Sequence, residues 1–267
     1  MKRFIKFLLI ITAIFTCAVS TAGCTITLLS PDFLIGRTSA APSTSVDAAK
    51  MTNDITTDKI HALFTVYAEN QKSKGSTLTA QGSAVAFYQN SDGYVFLLTN
   101  CHVAVKREDY RKVSYEVVDY AGNTYTAELY KSPDKDVSAI SADYDLAVLY
   151  FKANTTYTTL GIASADPAIG ETIVALGAPE NQSNAITFGK VVSYVTTEVD
   201  ADPSLSNVQF SVIYHDAFID SGSSGGPIIN SNYEIVGINY GGSEDNTVSL
   251  AVPATKVMEF MNTYVYE

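Results

Sequence analysis

The sequence predicts an all-β domain that ends in one short helix. Three observations carry this. From about residue 59 onward, short apolar runs alternate with turn residues at strand-like spacing. The chain holds 17 Tyr and 12 Phe but no Trp, and Tyr and Phe suit a pleated, half-buried surface. Helical spacing closes the chain at 254–264, with Val257, Phe260, Met261 and Tyr264 on one side. Many short strands at such spacing argue for a barrel or a sandwich. The length of 267 residues permits one large domain or two small ones, with a sizeable core.

The elements follow in order. Residues 62–67, 83–88 and 94–98 are short runs rich in Val, Phe, Tyr and Leu. Residues 114–120 and 124–130 flank Ala121-Gly122-Asn123, which reads as a hairpin turn. Runs at 145–151, 171–176, 186–194 and 208–214 follow. Two short strands, 227–229 and 234–238, sit around the turn Asn230-Ser231-Asn232. A last strand covers 247–252.

The N-terminus reads as a targeting segment. Lys2, Arg3 and Lys6 precede an apolar run of thirteen residues at 7–19, too short for a comfortable transmembrane helix. Small residues then lead to Cys24. This resembles a bacterial lipoprotein signal, in which the cysteine becomes the lipidated first residue, although Thr21 stands where Leu is usual. A plain cleaved signal and an uncleaved anchor are the other readings. Each places the chain outside the cytoplasm, in a bacterial cell envelope, with membrane contact through an N-terminal lipid or anchor. Residues 1–24 are thus a signal, 25–58 a low-complexity tether that from residue 36 is rich in Ser, Thr, Ala and Asp and before that holds an unassigned apolar piece at 26–35, and 59–267 the folded domain.

Charge and cysteine count narrow the function. The formal charge is −11, and without residues 1–23, which hold three bases and no acid, it becomes −14. Phosphate binding needs a basic face, so a nucleic-acid partner is excluded. Cys17 and Cys24 belong to the signal, which leaves Cys101 in the folded part. One cysteine builds neither a disulfide framework nor a Cys-based metal site.

The chemistry sits at strand ends. The stretch DSGSSGGPIIN, 220–230, has the composition of a flexible spacer but leads straight into an apolar strand. A glycine turn in that position holds a side chain and several N–H groups in fixed geometry. A serine hydroxyl needs a base, and the base needs an orienting group. His102 follows the apolar strand in TNCHV, Asp145 opens the strand in DLAV, and Ser224 lies in GSSGGP. The chain order His, Asp, Ser is one known order of the serine triad. Asp143 is the rival acid, since residues two apart on a strand share a face. His61 and His215 read as structural, and Cys101 as buried packing.

These three motifs resemble those of the trypsin-like serine proteases, and most closely the bacterial HtrA/DegP-type branch. The stretches ITFGKVVS, IVGINYGG and SLAVPATKV also fit that family's run of strands, and the resemblance covers about residues 59–266. It implies two packed antiparallel six-stranded β-barrels of chymotrypsin type, with the triad in the cleft between them. It implies a serine endopeptidase acting on exported or unfolded polypeptides, without cofactor or metal. Ser224 would attack the carbonyl, His102 carry the proton, and Asp145 hold the imidazole. Backbone N–H groups of Gly222, Ser223 and Ser224 would form the oxyanion hole.

Departures from the family pattern are informative. Ser223 stands where trypsin has an aspartate, so activation through a new N-terminal ion pair is not expected. No PDZ-like domain is expected after the C-terminal helix. Asn239 stands where glutamyl endopeptidases have His, which argues against glutamate preference. Six residues before the nucleophile lies Phe218. With Ile219, Asn239, Tyr240 and Gly241 it forms an expected apolar substrate pocket, and Asp220 is a competitor that would favour a basic residue. The alternative to an enzyme is a catalytically latent protease fold kept for binding.

Overall fold

Strand β1, Leu63–Gln71, turns alternate residues toward the core, as a strand with one covered face requires. It pairs antiparallel with β2, Thr77–Gln89, on one side and β4, Lys112–Asp119, on the other. The computed structural model describes residues 47–72, 75–133, 135–178, 184–197, 202–242 and 248–266. In it β3 (Tyr94–Thr99), β5 (Thr124–Leu129) and β7 (Leu146–Lys152) complete a ring in the order β3-β2-β1-β4-β5-β7. Pairing of β3 with β7 closes it as a six-stranded barrel. The two-residue strand β6, Ile140–Ser141, pairs with Ala147 and Leu146 of β7, next along the edge that β5 uses. The sequence reading missed it because two residues carry no periodicity.

The second half forms another barrel. Strands β8 (Thr172–Gly177), β9 (Ala185–Val195), β10 (Val212–His215), β11 (Pro227–Ile229), β12 (Ile235–Gly242) and β13 (Ser249–Pro253) close in the order β10-β13-β12-β11-β8-β9. The expected all-β fold of two six-stranded barrels is therefore present. Helix α3, Ala254–Tyr264, packs its Val257, Phe260 and Met261 into the core, as the helical spacing predicted. No described helix is long and apolar enough to cross a membrane.

Turn chemistry fixes the register. Gly122 takes φ +86° in the expected hairpin turn. Asp119 secures that turn by accepting from the N–H groups of Ala121 and Asn123 and from the hydroxyl of Tyr157. Burial pushes its carboxyl up, but these hydrogen bonds outweigh it and hold the group below its ordinary range. In the second barrel, Asn230 Oδ1 accepts from the N–H groups of Asn232 and Glu234, which closes the expected turn between β11 and β12.

The tether expectation fails at its C-terminal end. Residues Ala48–Thr57 form helix α1, not a spacer. Asp47 caps it by accepting the Lys50 N–H at 2.9 Å, and Met51 and Ile55, four apart, are buried. The Tyr233 hydroxyl donates to Asp54 of this helix. A Ser/Thr-rich composition hid two core residues at helical spacing. The signal segment, Cys24 and the tether up to residue 46 lie outside the described residues.

Candidate active site

His102 stands on a single helical turn, α2 (Cys101–Ala104), just past the end of β3. Three groups hold that turn. The Tyr115 hydroxyl donates to Ala104 O at 2.8 Å, Arg107 Nη2 donates to His102 O at 2.9 Å, and Asn100 Nδ2 reaches across to Asp145 O at 2.8 Å. Arg107 is itself placed by its N–H, which donates to Asn70 Oδ1 at 2.9 Å. The sequence reading named none of these supports, because each grips a main-chain carbonyl, which leaves no mark in the sequence.

Asp145 binds the histidine twice. Its Oδ1 accepts the His102 N–H at 2.9 Å, and its Oδ2 lies 2.8 Å from His102 Nδ1. An ionised carboxylate only accepts, so the shared proton belongs to Nδ1 and Nε2 is left as the free base. Asp145 is fully buried, whereas the His102 side chain keeps 24% exposure. The aspartate takes a left-handed backbone at φ +50°, a conformation Asp tolerates better than most residues. The rival Asp143 accepts instead from Asn207 Nδ2 at 2.8 Å and does not meet the histidine.

Ser224 comes from the second barrel, in the loop before β11. Its loop is pressed against the histidine segment. A Cβ on Gly225, at φ +88°, would lie 2.4 Å from Thr99 Oγ1 and 3.2 Å from Asn100 N. A Cβ on Gly82 would lie 2.6 Å from Val103 Cγ2 and 2.9 Å from Ser224 O. Glycine is thus required where the two barrels meet. Ser224 is partly exposed, and its hydroxyl forms no hydrogen bond among the described residues. Catalytic hydrogen bonds often tighten only when substrate binds.

Of the three N–H groups expected to serve an oxyanion, one is already taken and two are free. The Ser223 N–H donates to Asp220 O at 2.9 Å within a tight turn, so it is already occupied. The N–H groups of Gly222 (φ +91°) and Ser224 have no acceptor among the described residues. Ser223 O accepts the Gly226 N–H at 2.9 Å, and Gly225 N–H donates to Asn239 O at 2.8 Å. The loop is therefore braced by backbone bonds on both sides of the nucleophile.

The expected substrate pocket is only partly assembled. The Phe218 side chain is 53% exposed and does not floor an enclosed pocket. Its carbonyl is held by the Thr187 hydroxyl at 2.7 Å. Counting back from Ser224 found the position but not the direction of the ring. Ile219 is half-buried, and Gly241 has open space where a Cβ would stand. Tyr240 is buried, with its hydroxyl 3.3 Å from Thr197 Oγ1. Asn239 is wholly buried and its Oδ1 lies 3.0 Å from His215 Nε2. His215 is structural, as expected, and burial lowers it to about 4. Asp220 faces solvent, its carboxylate accepting the Ser221 N–H.

The remaining residues keep bland roles. His61 stacks on Tyr120 with ring centres 3.8 Å apart. Cys101 is buried beside His102, and burial, with the nearby Asp145 charge, pushes its thiol well above the ordinary range. A thiol held protonated is a poor nucleophile.

Comparison with known proteins agrees with this geometry. Residues 82–238 match the family model described as a trypsin-like peptidase domain. The chain is 34% identical over 197 residues to the serine protease Do-like HtrA of Bacillus subtilis (strain 168), covering 71% of this chain and 40% of that protein. It is 32% identical over 179 residues to the mitochondrial serine protease HTRA2 of Bos taurus, covering 65% of this chain and 36% of that one. The chain thus spans about two fifths of the length of these relatives. The active form of the Rv3671c protease from M. tuberculosis superposes with a TM-score of 0.62 at 18% identity, over 90% of this chain and 95% of that chain. At that identity the likeness concerns the fold. With the family model matched from β2 to β12 over the barrels just described, the chain belongs to the trypsin-like peptidase family and carries a domain of HtrA type.

Proposed function

We propose that this chain is a serine endopeptidase that cleaves exported or unfolded polypeptides through an acyl-enzyme on Ser224. The observation that carries the reading is the His102–Asp145 pair, formed at 2.8 Å with Asp145 buried, beside a glycine-built serine loop. His102 Nε2 takes the Ser224 proton as Oγ attacks the substrate carbonyl. The N–H groups of Gly222 and Ser224 stabilise the developing oxyanion. The imidazolium, held by Asp145, delivers its proton to the leaving amine. Water, activated by the same base, then releases the acyl group. Half-buried Ile219 and open Gly241 support a small or medium apolar side chain at the cleaved position. An extracytoplasmic site of action, with attachment at Cys24 or through an uncleaved N-terminus, follows from the signal-like leader.

A latent binding module has less support. It would not require the buried Asp145 to hold a solvent-reachable histidine, nor two unoccupied N–H groups at the serine loop. The test is digestion of reduced, unfolded casein by the full chain and by Ser224→Ala. Cleavage by the first and not the second supports the endopeptidase. A folded parent protein that leaves casein intact, even at high enzyme concentration, returns the latent module to first place.

A further inference from the structure

We infer that Ser83 is a positioning residue for acyl transfer: from the first barrel it holds the nucleophile loop of the second in its reactive geometry. The inference rests on the serine-peptidase reading. Ser83 lies on β2 and is fully buried. Its N–H donates to Ser224 O at 2.7 Å, and its Oγ donates to Gly222 O at 2.7 Å. The same Oγ accepts the Ala178 N–H at 2.8 Å, just past the end of β8. Its carbonyl accepts from Thr99 Oγ1 at 2.7 Å, three residues before His102. One side chain and its peptide groups therefore tie the histidine segment, the serine loop and β8 together.

The consequence lies in the peptide planes. The Gly222–Ser223 peptide is held at both ends, its oxygen by Ser83 Oγ and its N–H by Asp220 O. The Ser224–Gly225 peptide is also held at both ends, its oxygen by the Ser83 N–H and its own N–H by Asn239 O. Between them lies the Ser223–Ser224 peptide, which carries one oxyanion donor. Its own oxygen accepts the Gly226 N–H at 2.9 Å, and the two clamped planes on either side fix the ends between which it sits, so the donor turns only by breaking that bond inside a frame that Ser83 holds. The neighbouring glycines are part of the same device, since a Cβ on Gly225 would lie 2.1 Å from Ser83 O. A misplacement of roughly 1 Å at a reacting centre can cost about 10² in rate, so the clamp acts on turnover rather than on binding.

The test compares the full chain with Ser83→Ala, using a fluorophosphonate probe whose tetrahedral adduct places an oxygen among the same donors. Reactive sites are first counted by exhaustive labelling, so that unfolded protein is excluded from the rate. The expected result is a limiting labelling rate per site lower by about 10- to 100-fold. The half-saturating probe concentration and the shape of the pH profile should stay unchanged. A merely structural Ser83 gives fewer sites or a lower melting temperature with an unaltered rate per site, and that result overturns the inference. If Ser83→Ala does not fold, Ser83→Cys, which keeps a side chain of similar size but replaces both Oγ hydrogen bonds with weak thiol ones, is read the same way. An unreactive parent protein refutes the serine-nucleophile reading itself. A reactive parent with an unaltered variant refutes the Ser83 inference alone.

Discussion

Stability should fall between pH 6.5 and pH 4 because of His215. The imidazole is wholly inside the second barrel, where burial lowers its proton affinity from 6.5 to about 4, against the opposing pull of Asn239 and Asp216. Its Nε2 pairs with Asn239, and the Ala217 backbone beside the ring eases protonation only in part, so taking up a proton would still bury a charge inside the barrel. The sign follows from proton counting. Above pH 6.5 the residue is neutral in both states and contributes nothing. Below it the unfolded chain binds a proton that the native state refuses until about pH 4, so unfolding becomes easier as pH falls through that window. Two and a half units at about 1.36 kcal/mol each make about 3 kcal/mol. The assay is urea unfolding of the parent and of His215→Gln at pH 7.5, 6, 5 and 4. Carboxylates titrate in both proteins, so the difference between them isolates the histidine. The parent should lose about 3 kcal/mol relative to the variant across the series. A flat difference would refute the reasoning, because it would mean that the buried ring accepts its proton as readily as the unfolded chain does.

Other outcomes follow from the same geometry. Asp145→Asn should lower kcat by about 10⁴, because an amide stabilises the wrong imidazole tautomer, while Asp143→Asn should change it less than about threefold; peptide hydrolysis by both variants checks this. Gly225→Ala adds a Cβ 2.1 Å from Ser83 O at φ +88°, and should destabilise by more than about 2 kcal/mol or prevent folding, as read from the urea midpoint. Cys101 should resist iodoacetamide at pH 8 in the native protein and react fully in urea, as mapped by mass spectrometry of its peptide.

Much of this was legible in the residues. The apolar runs of β1 and β3, the Gly122 hairpin and the helical spacing of Val257, Phe260 and Met261 are local patterns, and each falls within the element the structure forms there. The histidine and its aspartate were marked by short motifs at strand ends. What stayed hidden depends on long-range contact or on direction. Ser83 touches partners 95 and 139 residues away, so no local pattern reveals its hydroxyl as a clamp. Arg107 and Tyr115 support the histidine turn through carbonyls that any sequence would supply. The Ser223 N–H was counted as an oxyanion donor because its spacing fits, but the Asp220 turn already uses it. Phe218 occupies the expected place in the chain, yet its ring points to solvent. Helix α1 was hidden by composition, since Ser, Thr and Ala around it outweighed the pairing of Met51 with Ile55.

The central claim is that Ser224 is a nucleophile activated by His102. The most direct measurement is labelling of the full chain with a fluorophosphonate, followed by mass mapping of the adduct, alongside Ser224→Ala and His102→Ala. The account predicts one adduct, on Ser224, absent from the first variant and formed at least about 10³-fold more slowly in the second. A folded parent protein that stays unlabelled, or an adduct on another residue, would contradict it.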